Sequence, residues 1–271
     1  MPHSPRGRPN NASRTTCSAK RKAQMLALMD AISPAMLHSF TALLLAHVLA
    51  DFVFQTNWMA TRKADPPVLL LHVLIVFILS NLALGGVWQV AGAITLAHFA
   101  IDATKVWVVP QRHRNTFTAF LIDQVAHLLS LIVAVIWWPD AIATGLWSNI
   151  AALAFAPALI ASGAILTIRA GGFAVGLLTA RFSEHLTEES LPDAGRLIGQ
   201  LERALIFLLI WAGHPAGVGF LVAAKSILRF DAAKDSKAGE YVIIGTLASY
   251  GWALAMSYAT FALLEIGGPS P

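Results

Sequence analysis

The sequence predicts an all-α polytopic membrane helix bundle, with about seven membrane-embedded helices. Apolar residues come in long runs, such as 68–84 and 128–138, the length that a hydrocarbon core of ~30 Å demands of a spanning helix. Charged residues make up 13% of the chain, about half the share usual in soluble domains, too few to cover a water-facing surface. Trp58, Trp107, Trp137 and Trp138 stand near the ends of the runs, where interfacial anchors belong.

In chain order, spans are expected at 35–57, 67–84, 88–109, 117–138 and 149–168. A polar stretch (181–200), an apolar region (201–229) and a last span (241–264) follow. Gly85–Gly86 makes spans two and three a tight hairpin. Pro110 ends span three, and Asn115 or Thr116 caps span four. Region 201–229 is broken by Gly213, His214, Pro215, Ala216 and Gly217, and reads as one kinked helix or a re-entrant pair. No fixed-period repeat is visible. Three segments result: a tail (1–34), a four-helix core (35–138) and C-terminal membrane helices (139–271).

The tail explains the net charge of +4. Arg6, Arg8, Arg14, Lys20, Arg21 and Lys22 lie there without an acid. Without those six, 13 basic residues face 15 acidic ones. The excess is therefore no nucleic-acid surface, and a Ser-, Asn- and Thr-rich tail is expected to be disordered. It resembles a transit peptide or a misassigned start, with Met25, Met29 or Met36 as the true one. The lone Cys17 excludes a disulfide framework or a thiolate metal site. Basic residues fall in the loops after spans one, three and five and before the last span. If 201–229 re-enters, those loops share one side, the cytoplasm by the positive-inside rule, with both termini outside.

Chemistry must be sought in the polar residues of the spans. Span one reads HVLADFVFQ, with His47, Asp51 and Gln55 on one helix face. Span two carries His72. Span three reads HFAIDATK, with His98, Asp102 and Lys105. Span four reads DQVAH, with Asp123, Gln124 and His127. Counted from the cytoplasmic ends, the three aspartates share one depth, with His72 near it. His47, His98 and His127 lie one turn deeper, ~5–6 Å. A carboxylate in hydrocarbon costs ~2.5–3.5 kcal/mol even on insertion scales, so three at one depth require partners, water or a cation. Asp and neutral His suit Zn, Mn or Fe. The reading is a divalent-metal site of His47, Asp51, His98, Asp102, Asp123 and His127. His72 is a further ligand or base, and His72 and Asp123 are the catalytic candidates. The alternatives are a proton or ion path, as in a coupled transporter, and a scaffold in which His–Asp pairs and an Asp102–Lys105 ion pair hold helices together. His38 reads as interfacial, and His113, His185 and His214 as loop residues.

Further on, GRLIGQLER carries Arg196, Glu202 and Arg203, KSILR carries Lys225 and Arg229, and Glu240 opens the last span. These charges read either as interfacial snorkelling or as an anion or lipid-headgroup site on the cytoplasmic face. Phosphate loop, Rossmann fingerprint, serine elbow and HExxH are all absent.

As a set, HVLADFVFQ, His72, HFAIDATK and DQVAH resemble the bacterial membrane family known as domain of unknown function 3307. GRLIGQLER, KSILRF and EYVIIGTLAS resemble the second half of its longer members, so the likeness covers about 36–264. It implies a multi-pass protein of the bacterial inner membrane with a start nearer Met36, and it brings no activity with it. The paired His and Asp are also similar to membrane-bound metal-dependent hydrolases. The polar layer sits off-centre, in one leaflet, which suits a reaction site reached from one side and a lipid or amphiphilic substrate.

Overall fold

The computed structural model describes residues 33–185, 194–228 and 236–267. From Ala35 onward the described residues form one compact unit. The expected disordered tail lies outside the described residues but for its last two, and so does Arg229. All regular structure among the described residues is helical.

Helix α1 (Pro34–Leu49) runs into a π turn (Ala50–Phe54). A short α2 (Asn57–Thr61) and a long α3 (Pro66–Ala83) follow. After Gly85–Gly86 the same order recurs: α4 (Trp88–Ala103), a π turn (Thr104–Val108), short α5 (Gln111–Arg114) and long α6 (Phe117–Trp137). The first half of the chain is thus built twice, which the sequence reading missed. Most of each copy is interchangeable apolar residues, and only a few polar ones keep step. His47 and His98, Asp51 and Asp102, and His72 and Asp123 each stand 51 residues apart. The copies are not identical. The π turn begins three residues after His47 but six after His98.

Local signals fix the boundaries. Thr56 and Thr116 cap α2 and α6 by accepting from the amides of Met59 and Ala119. Pro66 occupies the first turn of α3, where a missing N–H is harmless. Gly85 turns the hairpin at φ +72°, and a Cβ there would meet the amide of Leu146 at 2.6 Å. That amide donates to the Gly85 carbonyl, so the loop after α6 closes on the turn.

The second half starts with α7 (Ala151–Ile165), which passes through a third π turn (Leu166–Ala170) into α8 (Gly171–Thr179). Helices α9 (Ala194–Trp211) and α10 (Gly217–Leu228) precede the last, α11 (Ser236–Gly267). Region 201–229 is a helical hairpin. Gly213 turns it at φ +74°, Gly217 packs on Leu209, and Lys225 meets Glu202 at 2.7 Å.

The packing is inverted relative to a soluble bundle. On α3, Leu70, Leu74, Ile78 and Leu82 form an exposed apolar stripe, while His72 and Ser80 are buried. The same holds on α6, where Ile122, Leu129 and Ile136 face outward and Asp123 and His127 inward. Water would penalise that stripe, whereas lipid favours it. Five helical stretches are long and apolar enough to cross a membrane: Pro34–Phe54, Pro66–Ala83, Phe117–Trp137, Ala151–Phe182 and Gly239–Gly267. Trp88–Val108 has the length, but His98, Asp102 and Lys105 keep it out of that set.

Candidate functional site

The two copies meet at their polar faces. Helix α1 and its π turn bring His47 and Asp51, α3 brings His72, α4 brings His98 and Asp102, and α6 brings Asp123 and His127. All seven side chains are buried. The π turn alters how Asp51 is presented. Its wide turn closes with Gln55 N–H donating to Ala50, and the Phe52 carbonyl accepts from Arg169 Nε at 3.2 Å. Single π turns of this kind occur often at functional sites.

Four atoms converge. His72 Nε2 and His98 Nε2 stand 3.0 Å apart. Asp51 Oδ1 is 3.3 Å from the first and 3.5 Å from the second. Asp102 Oδ2 is 3.5 and 3.3 Å from the same two nitrogens. Two triangles of donors therefore share the His72–His98 edge. Around a zinc ion with bonds of about 2.0–2.1 Å, tetrahedral ligand atoms lie about 3.3–3.4 Å apart, and both triangles have sides of that order. His47 adjoins, its Nδ1 3.9 Å from Asp51 Oδ2. Two sets of donor atoms lie within 4.8 Å of one another: His47, Asp51 and His98, and His72, His98 and Asp102.

Asp123 and His127 stand apart from these sets. Asp123 Oδ2 meets Lys105 Nζ at 3.0 Å and accepts from Gln124 at 3.2 Å. The ring of His127 lies 4.2 Å from that of His98 and 5.1 Å from that of His47. Its Nδ1 lies 2.8 Å from the carbonyl oxygen of Asp123. A carbonyl only accepts, so the proton sits on Nδ1. Nε2 keeps a buried lone pair with no hydrogen-bond partner.

The ion pairing differs from the sequence expectation. Lys105 pairs with Asp123, not with Asp102, because it lies in the π turn, whose wider pitch swings it toward α6. Asp102 is met by Lys63, at 2.7 Å. Lys63 comes from the loop between α2 and α3, folds inward, and also donates to Gln55 at 3.2 Å. Burial alone would lower its pKa, but the Asp102 and Asp51 carboxylates outweigh that and hold it above the usual lysine value. Sequence reasoning used Lys63 only as a loop charge. The signal that could have found it was a layer of three carboxylates with one lysine assigned to it.

Three buried carboxylates thus face two ammonium groups and four imidazoles. With neutral histidines the cluster is one positive charge short.

No curated protein and no solved structure matches the chain. The likeness expected over about 36–264 is found over a shorter stretch. Every residue of the cluster falls within residues 39–153, and it is this segment that matches the model of the family described as "Protein of unknown function (DUF3307)".

Proposed function

We propose that the cluster binds one divalent cation, Zn, Mn or Fe, as the centre of a hydrolase of the bacterial inner membrane. The observation that carries this reading is the pair of donor triangles on the His72–His98 edge. Asp51, His72, His98 and Asp102 would hold the ion, a set of carboxylate and imidazole without thiolate. Such an ion supplies Lewis acidity and makes water a usable nucleophile at neutral pH. His47 and His127 are the groups left to take a proton, since each has one ring nitrogen buried without a hydrogen-bond partner. Of the two roles expected for His72, ligand or base, ligation suits its position better. Asp123, the other catalytic candidate, is engaged by Lys105. The apolar exterior favours a lipid or amphiphilic substrate.

Elemental analysis of the protein purified in detergent tests the reading. About one equivalent of Zn, Mn or Fe is expected. No bound metal, no uptake and no thermal stabilisation by any of the three would refute it. A second reading has its own support. The rings of His47, His127, His98 and His72 succeed one another at 4.2–5.1 Å, and His72 faces His98 across one proton's distance. This suits a proton path in a coupled transporter, and substrate-driven proton flux in proteoliposomes would favour it.

We also propose that the cluster opens to the cytoplasm, where the basic loops lie. Position 63 faces inward, so the exposed Arg62 and His113 are the places for cysteine labels. Both should react only from the cytoplasmic side, and reaction from the periplasm would reverse the orientation.

A further inference from the structure

We propose that the second half of the chain carries a separate site for the phosphate group of an anionic ligand, in a cavity between α8, α9, α10 and α11. The cavity measures about 390 Å³, within the range of small-molecule sites. Among the described residues, Arg196, Arg203 and Lys225 line it with the Glu202 carboxylate. It holds none of the His/Asp cluster.

Arg203 is what separates this cavity from a surface groove. A snorkelling arginine puts its guanidinium in water, yet Arg203 is only 3% exposed. Its Nε and Nη2 donate to the Ile168 carbonyl at 3.1 and 3.0 Å, and Nη1 to Ser249 Oγ at 3.1 Å. The acceptor at Ile168 belongs to the third π turn. These partners fix the guanidinium but bring no negative charge. Glu202, its neighbour in sequence, turns to Lys225 at 2.7 Å. Three of five N–H groups are used, which leaves one donor on each terminal nitrogen for an anion.

The walls leave room for such a ligand. Gly172 and Gly199 lie against the guanidinium, where a Cβ would come within 3.1 and 3.2 Å of it. Gly176 and Gly195 face open space. Thr246 offers a hydroxyl, and Val175, Ile198 and Val242 an apolar wall. Lys225 sits on the Glu202 carboxylate, poised to shift toward an anion.

The test uses the full chain. Nanodiscs of phosphatidylglycerol mixed with phosphatidylcholine are extracted into detergent, and retained lipid is measured by native mass spectrometry. Thermal shift with inorganic phosphate forms the second arm. Wild type should retain phosphatidylglycerol over phosphatidylcholine by about tenfold or more, or be stabilised by millimolar phosphate. Gly176→Leu fills the cavity from a helical position that better accepts leucine than glycine. Arg196→Gln removes a lining charge. Each should lower the response about tenfold, with thermal stability in phosphate-free detergent as the control for folding. A lipid preference alone identifies a headgroup, and a phosphate shift alone a soluble phosphate. Both outcomes uphold the site. No response in either arm, or an undiminished response in folded Gly176→Leu and Arg196→Gln, overturns it.

Discussion

His72→Ala is expected to empty the cluster of its cation. His72 and His98 form the edge that both donor triangles share, so loss of either removes a corner from both. Outer-shell changes at metal sites typically cost 10–100-fold in affinity, and loss of a shared ligand should exceed about 100-fold. Asp123→Ala provides the contrast. Its carboxylate is bound to Lys105 and Gln124, so metal content should stay within about a factor of ten of wild type. Metal titration of the three detergent-purified proteins decides. Equal loss in Asp123→Ala and His72→Ala would mean that the aspartate joins the coordination after all. Unchanged metal in His72→Ala would remove the proposed centre.

Lys63→Met should give opposite effects with and without metal. Without metal, the change leaves Asp102 buried with no ammonium partner, and removal of one partner of a buried pair costs roughly 3–5 kcal/mol. With metal, the same carboxylate is free to ligate, so affinity should rise and the lost stability return. Thermal melts of wild type and variant, with and without added zinc, read both effects. A variant equally unstable in either condition would make Lys63 a structural ion pair alone. The pH dependence has a definite sign. The folded-state pKa of Lys63 is raised above its unfolded value. Its stabilising contribution is therefore complete below an unfolded pKa of about 10.4 and is lost as pH rises through the higher folded value. Wild type should show this alkaline loss, and Lys63→Met should lack it.

Much of this region was legible from one-dimensional spacing. The four-residue interval of His47 to Asp51 and of His98 to Asp102, together with the lengths of the apolar runs, sufficed to put seven polar side chains at the centre of four helices. The interval failed where the helix ceased to be α. It paired Lys105 with Asp102, and a π turn redirects Lys105 to Asp123. It also could not foresee Lys63, because a loop side chain obeys no period. The same limit applies to Arg203. Its place beside Glu202 on a helix suggested interfacial snorkelling or an anion site. Only the third π turn, with an acceptor at Ile168, explains how a guanidinium stays buried without a carboxylate at its side.

The doubled architecture bears on how the chain enters the membrane. The first copy, Pro34–Ala83, carries His47, Asp51 and His72 on inward faces, and the groups that complete them arrive with α4 and α6. Until then Asp51 has only His47, His72 and Lys63 of its own copy beside it, and turning that carboxylate to lipid would cost ~2.5–3.5 kcal/mol or more. That penalty favours a first pair that stays beside the translocation machinery, or keeps its polar face toward water, during synthesis. The tight turn at Gly85–Gly86 shortens that wait, because α4 follows α3 directly and carries His98 and Asp102 into place. Lys63, held by the first copy, then docks on Asp102 of the second. The ion pair that closes the cluster thus also marks the moment at which the two copies have been inserted together.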